Sequence, residues 1–181
     1  MDNIIEISHL SKSFGPVHAV QDLGFQVREG ERFAFLGVNG AGILLMALMM
    51  IPNIAFALTH REGFVNRWSN RTVELLEQMG RFGCFIFMCV RIQPLCGGYW
   101  FPGAHMVVLS VDAALLLAYW LIWVVCWRRD GLFRAAMLSA LPSALFLFSG
   151  VAARNYPLLA AALVFAPCHI CISCKNAPVI R

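Results

Sequence analysis

A glycine-rich loop near the N-terminus has the spacing of a phosphate-binding site but lacks the two side chains that perform its chemistry. Gly37 and Gly42 occupy the first and last glycine positions of the pattern G-x-x-x-x-G-K-[ST]. In that pattern the lysine pairs with the β- and γ-phosphates, and the hydroxyl group holds Mg²⁺. Here Ile43 and Leu44 stand in those two places. The sequence therefore predicts that the chain is not an ATP-hydrolysing enzyme.

The segment before this position has further features of nucleotide-binding proteins. They lie in the stretches 5–15 (IEISHLSKSFG), 19–23 (AVQDL), 27–31 (VREGE), 35–37 (FLG) and 39–42 (NGAG). On these stretches, residues 1–42 resemble the start of the ATP-binding subunit of an ABC transporter. The resemblance implies that Phe14 stacks on adenine, and that a loop with Gly37, Asn39, Gly40 and Gly42 wraps the phosphates. The rest of the sequence has no Walker B Asp-Glu pair and no Leu-Ser-Gly-Gly-Gln signature. The similarity to ATP-binding proteins is therefore vestigial, and we expect this chain to bind no cofactor.

The residues alone predict that the N-terminal segment is short and rich in β-structure. The runs 4–7 and 24–27 are typical of short strands, and Gly15-Pro16 marks a turn after the first of them. The apolar run 33–36 suits a buried strand before a loop. So short a piece of sheet buries too little surface to be stable by itself.

The composition of the whole chain is that of an integral membrane protein. The sequence is 60% hydrophobic and only 13% charged, whereas soluble domains carry about 25% charged residues. Apolar runs long enough to cross a bilayer cover residues 41–58, 75–95, 106–127, 132–152 and 156–174. We therefore predict a mainly α fold, a multi-pass transmembrane helical bundle of about five spans. Its two domains are a partial ABC ATP-binding segment at 1–42 and a transmembrane helical domain at 43–181.

Basic residues between the predicted spans assign an orientation. Alternate loops and helix ends carry Arg61, Arg67, Arg71, Arg128, Arg129, Arg134, Lys175 and Arg181. Of the opposite loops, 93–105 has no basic residue and the next has only Arg154. The positive-inside rule places loops 59–74 and 128–131 in the cytoplasm. These arginines flank apolar runs, so the expected partner is the lipid bilayer and not a nucleic acid. The N-terminal segment would then lie outside, which supports a fusion near Gly42.

Two charged residues are predicted to lie inside spans and to form a pair. Asp112 comes six residues after the start of the third predicted span, and Arg91 four residues before the end of the second. At 1.5 Å per residue these depths are about 9 Å and about 6 Å. A carboxylate inside a membrane is costly and usually has a partner or faces water. We interpret the two residues as a structural ion pair, with a substrate or proton site as the alternative.

Two residues of the second span have the spacing of a helical ion pair. Glu77 and Arg81 are four positions apart with the acid first, which is the favourable order. We interpret them as structural, with Arg81 extending outward to the membrane surface. Just before this span, Asn70 or Thr72 is expected to cap the helix N-terminus.

Three cysteines near the C-terminus could share one helix face. Cys168, Cys171 and Cys174 are spaced by three residues, as in an iron–sulfur motif whose fourth cysteine is missing here. His169 points about 100° away from that stripe. We interpret the cysteines as buried free thiols, which behave as small hydrophobic groups. Metal binding is the alternative.

The second domain has a resemblance of its own. Residues 43–181 resemble small uncharacterised multi-pass membrane proteins of Gram-positive bacteria, on the stretches 51–53 (IPN), 80–85 (GRFGCF) and 165–169 (FAPCH). The resemblance implies the bacterial cytoplasmic membrane as location.

Three functions remain open on the sequence. The first is a membrane protein of unknown role that carries a truncated, non-hydrolytic ABC segment. The second is an ABC transporter component that works with a separate intact ATPase. The third is a small permease that uses Asp112 and Arg91. A homo-oligomer is possible for each of them.

Overall fold

The computed structural model describes residues 3–15, 17–28, 38–59, 67–92 and 95–178. The chain divides into two compact units, Met1–Leu36 and Gly37–Arg181. The elements are β1 (Asn3–Phe14), β2 (Val17–Arg28), α1 (Val38–Thr59), α2 (Arg71–Cys89), α3 (Ala104–Val125), α4 (Leu132–Ala152) and α5 (Tyr156–Asn176). The predicted fold class, mainly helical with a short β-rich N-terminus, is confirmed.

The first unit is an antiparallel hairpin of β1 and β2. Its strands extend well beyond the short runs predicted, with Ile5 opposite Val27. The first strand is followed by Gly15 at φ +60°, a backbone conformation that glycine adopts without strain. Ile5 and Leu10 remain 46% and 45% exposed. The strand predicted at 33–36 lies outside the described residues.

Among the described residues, four helices of the second unit are long and apolar enough to cross a membrane. They are α1, from residue 40 onward, together with α3, α4 and α5. The second predicted span corresponds to α2, which does not reach that standard of length and composition because Arg71, Glu74, Glu77 and Arg81 lie within it. It also begins earlier than predicted, at Arg71, and ends earlier, at Cys89. The predicted cap is present, since the side chain of Asn70 accepts hydrogen bonds at the start of α2.

Pro52, Pro142 and Pro167 lie inside the continuous helices α1, α4 and α5. In α1, the ring of Pro52 removes the N–H group that would bond to the carbonyl of Leu48. The indole Nε1 of Trp120 in α3 donates to that carbonyl at 3.1 Å. A side chain of the neighbouring helix therefore satisfies the backbone group that the proline frees, as membrane interiors require.

Glycines bring α2 and α5 into close contact. A Cβ atom on Gly80 would lie 2.7 Å from the backbone nitrogen of Phe165, and one on Gly83 would lie 2.8 Å from the Cβ of Ala161. Small residues of this kind let membrane helices approach at their backbones. Because residue 80 faces 165 and residue 83 faces 161, the two helices are antiparallel and their register is fixed.

Candidate functional site

The second unit contains a cavity of about 660 Å³. All five helices contribute to its wall. At one end of the bundle, the lining includes Arg67, Asp130 and Pro178, which lie next to the N-termini of α2 and α4 and the C-terminus of α5. The cavity therefore reaches the end of the bundle that carries most of the arginines. Its volume is that of a site for a small organic ligand.

Glu77 is a buried carboxylate in the cavity wall, 4% exposed. Its Oε1 accepts hydrogen bonds from Arg81, at 3.0 Å from Nε and 2.5 Å from Nη2. The same Oε1 lies 2.9 Å from Nδ1 of His169 on α5. The ring of His169 is stacked on Phe165, with 4.6 Å between centroids. The predicted pair of Glu77 and Arg81 is thus present, and a histidine joins it.

The second oxygen of the Glu77 carboxylate, Oε2, differs from Oε1 in its hydrogen bonding. No described residue donates a hydrogen bond to Oε2 of Glu77. That oxygen is also not among the fully buried polar atoms that lack a partner. It is therefore not fully enclosed, and Glu77 is a residue of the cavity wall. The site therefore offers a carboxylate oxygen as a hydrogen-bond acceptor.

A second acceptor in the cavity wall comes from α1. The Nδ2 of Asn53 donates to the carbonyl of Met49 at 3.0 Å and to the hydroxyl of Tyr119 at 2.7 Å. Because a carbonyl can only accept, this contact fixes which end of the amide points to Met49. Among the described residues, no donor reaches Oδ1 of Asn53, and Asn53 and Tyr119 both line the cavity.

Arg134, in the first turn of α4, lies in the same wall. It belongs to the arginines predicted to flank the membrane, but its side chain is only 5% exposed. Its Nη1 donates to Asp130. Its guanidinium carbon lies 4.6 Å from the ring centroid of Phe56 and 5.2 Å from that of Trp123, within the range of cation–π attraction. The aromatic rings stabilise a guanidinium group that would be hydrated if it lay in an exposed loop.

The predicted ion pair of Arg91 and Asp112 is wrong. Asp112 is 2% exposed and accepts a hydrogen bond from the hydroxyl of Ser149 on α4 at 2.7 Å. The Nη2 of Arg91 donates instead to the carbonyl of Ala153 at 2.9 Å. The error arises because α2 ends at Cys89, so that Arg91 lies beyond the helix and not inside it. Neither charged residue lines the cavity.

Among the described residues, no further metal-ligating side chains join the three cysteines of α5 to form a metal site. Cys168, Cys171 and Cys174 all lie on α5 as predicted, but they are half-buried and not fully buried. Within the described ranges, no cluster of three or more His, Cys, Asp and Glu side chains could hold a metal ion. The offset of His169 from the stripe, by contrast, directs its ring to Glu77.

The glycine loop is divided between undescribed residues and a helix. Gly37 lies outside the described residues, and Phe14 is the last residue of β1. Asn39, Gly40 and Gly42 belong to the first turns of α1. A Cβ atom on Gly42 would lie 2.0 Å from the carbonyl oxygen of Met88 in α2. Gly42 therefore lets α1 and α2 pack closely, and residues 38–42 are helical.

Comparison with known proteins finds similarity over a short segment. The chain is 54% identical over 41 residues to the ribose import ATP-binding protein RbsA of Ruegeria sp. (strain TM1040). It is 39% identical over 51 residues to the uncharacterized ABC transporter ATP-binding protein YhcH of Bacillus subtilis (strain 168). These matches cover 23% and 28% of this chain, but only 8% and 17% of the two relatives. No family model and no solved structure matches.

The similarity to ATP-binding proteins covers only a part of the chain. About 23% of the chain is similar to the N-terminal region of ABC transporter ATP-binding proteins, as the sequence predicted. The chain spans only a small part of the length of those relatives. The four apolar helices indicate an integral membrane protein that carries this partial ATP-binding similarity.

Proposed function

We propose that this chain is a multi-pass protein of the bacterial cytoplasmic membrane that binds a small polar ligand in the cavity of its helical unit. The observation that carries the proposal is the carboxylate of Glu77. It is buried in the cavity wall and has one oxygen that no described residue uses. Charges inside a membrane are costly and mark functional sites by default. A protein that needed only a stable bundle would fill this space with apolar side chains.

The same cavity explains why α2 is amphipathic. Glu74, Glu77, Gln78 and Arg81 line the cavity, at the spacing of one helix face. The opposite face is apolar and exposed, with Leu75, Leu76, Met79 and Phe82. Because α2 also runs antiparallel to α5 over its length, we propose that it crosses the membrane as a fifth helix. Its apolar face then meets lipid and its polar face meets the ligand.

The orientation follows from the arginines. The cavity reaches the end of the bundle where Arg67, Arg71 and Arg129 lie. The positive-inside rule assigns that end to the cytoplasm. The ligand would therefore enter from the cytoplasmic side.

A ligand screen on the detergent-solubilised protein tests the proposal. The panel contains small amines, carboxylates and neutral alcohols, and the readout is the thermal unfolding temperature. The matched control is Ser173→Trp, which fills the cavity from α5, because Ser173 lines it. At least one compound should stabilise the natural sequence and not the control. A panel in which every compound affects both proteins equally would overturn the proposal.

An ABC transporter component remains the second candidate, because 41 residues are 54% identical to an ATP-binding protein. With Ile43 and Leu44 in the loop, this chain would depend on a separate intact ATPase. Co-purification of such an ATPase from the native membrane would favour this candidate. A permease is compatible with the cavity, but it would use Glu77 and not the pair of Asp112 and Arg91.

A further inference from the structure

We infer that the cavity takes a small organic amine, which binds through its ammonium group to Oε2 of Glu77 and Oδ1 of Asn53. This inference rests on the proposed function, since it names the chemical class of the ligand. It comes from two acceptor atoms of the cavity wall to which no described residue donates. Both free atoms are acceptors, so both require a donor.

The hydrogen-bonding contacts of the Glu77 carboxylate all lie on one of its two oxygens. Its Oε1 has three contacts, with two nitrogens of Arg81 and with Nδ1 of His169. Its Oε2 has none among the described residues, although the side chain is almost completely buried. A carboxylate oxygen is a hydrogen-bond acceptor only, so a ligand that binds this oxygen must bring a donor. An N–H donor of positive charge satisfies both the geometry and the charge of this oxygen.

Asn53 adds a neutral acceptor in the same cavity. Its nitrogen is engaged by Met49 and Tyr119, which leaves Oδ1 for a ligand. An ammonium group has three donors and no acceptor. It can therefore donate both to a carboxylate oxygen and to an amide oxygen, whereas a carboxylate ligand has no donor for either of them.

Two cationic side chains of the wall, Arg81 and Arg134, are already engaged, whereas a third, Arg67, is exposed at the end of the bundle. Arg81 pairs with Glu77, and Arg134 pairs with Asp130 while its guanidinium lies over two aromatic rings. The described residues of the lining include no lysine. An anionic ligand placed beside Glu77 would have to break the ion pair of Arg81, and an amine would not.

The remaining wall suits an aromatic or aliphatic body attached to the amine. It contains Phe85, Tyr119, Phe146 and Phe165. Tyr119 packs edge to face with Trp123, with ring centroids 6.4 Å apart, and Phe146 packs similarly on Phe165 at 5.8 Å. Aromatic faces attract ammonium groups and pack against aryl groups. The ligand class is thus an arylalkylamine or a similar amphipathic amine.

Three matched probes test the inference on the full-length protein in detergent: 2-phenylethylammonium, 3-phenylpropionate and 2-phenylethanol. Affinity is measured by calorimetry. The ammonium probe should bind at least about tenfold more tightly than the other two, as expected for one charge-assisted hydrogen bond. Glu77→Gln should remove that advantage. Asp112→Asn should preserve it, because Asp112 is also a buried carboxylate but does not line the cavity.

A fourth probe keeps the test independent of any variant that fails to fold. The trimethylated form of 2-phenylethylammonium retains the charge and loses every N–H donor. It should bind the natural protein about tenfold more weakly. Equal binding of the ammonium probe by Glu77→Gln, or equal binding of the trimethylated probe, would overturn the inference.

The remaining outcomes separate this inference from the proposed function. Binding of 3-phenylpropionate that Ser173→Trp abolishes would overturn the amine class and leave the cavity as a ligand site. If none of these probes binds, the amine inference fails. The proposed function fails only if the wider panel of compounds also fails.

Discussion

The two units of this protein differ in how well their apolar side chains are buried and in how far their sequences resemble known proteins. The N-terminal hairpin has two strands, and Ile5 and Leu10 are nearly half exposed. The helical unit buries Phe146 and Ala162 completely. Sequence similarity to known proteins covers about 23% of the chain, whereas the cavity and its charged network lie in a unit that no solved structure matches. The recognisable motif and the candidate site are therefore different parts of the molecule.

Within the helical unit, the largest loss of stability is expected from a substitution at Gly80, where α2 packs against α5. A side chain there meets the backbone of Phe165 at 2.7 Å, and backbone cannot rotate away. Gly80→Leu should separate α2 from α5 and cost at least about 1–3 kcal/mol. The measurement is the thermal stability of the protein in detergent, with loss of the monodisperse peak as the extreme result. Met79→Leu, on the exposed face of the same helix, is the matched control and should change little.

A smaller loss is expected at Trp120. Its indole satisfies the carbonyl of Leu48 that Pro52 leaves without a helical partner. Trp120→Phe keeps an aromatic ring and removes the donor, so about 1–3 kcal/mol should be lost. Adding Pro52→Ala restores the backbone N–H group and should recover part of that loss. Equal losses for Trp120→Phe in the presence and absence of Pro52 would show that the indole does not serve this carbonyl.

Much of the helical unit could be predicted from the sequence, because long apolar runs have few alternatives. The runs 132–152 and 156–174 correspond to α4 and α5 almost residue for residue. The Glu77–Arg81 pair was also predictable, since it depends only on helical spacing. The contact of His169 with Glu77 was not, because it joins residues 92 positions apart. It depends on how Gly80 and Gly83 set α2 against α5, and a single sequence does not reveal which helices are neighbours.

The misplacement of Arg91 has a similarly local cause. The residues that follow Cys89 include apolar ones, and they extend the hydrophobic run without extending the helix. The assumed depth was therefore wrong, and with it the pairing to Asp112. The structure predicts that Arg91→Leu and Asp112→Leu act independently. Their effects on the free energy of unfolding should add within about 0.5 kcal/mol, and strong recovery in the double variant would contradict the separate contacts.

The smallest expected effect concerns the N-terminal unit. ATP turnover by the purified chain should equal the blank, because Ile43 and Leu44 replace the lysine and the hydroxyl. Restoring them with Ile43→Lys and Leu44→Ser should also give no turnover, since the chain has no Walker B or signature sequence. Phosphate release above the blank by either protein would show that the glycine loop retains a catalytic function.

The most direct test of the central claim is the aqueous access of the cavity from the cytoplasmic side. Single cysteines are placed at Ser173, in the cavity wall, and at Leu163, on the exposed face of α5, in a cysteine-free variant. Arg129→Cys, just beyond α3, serves as the positive control. A membrane-impermeant thiol reagent should label positions 173 and 129 in inside-out vesicles only, and should not label position 163. Labelling of position 173 from the outer side, or from neither side while position 129 reacts, would contradict a ligand cavity that opens to the cytoplasm.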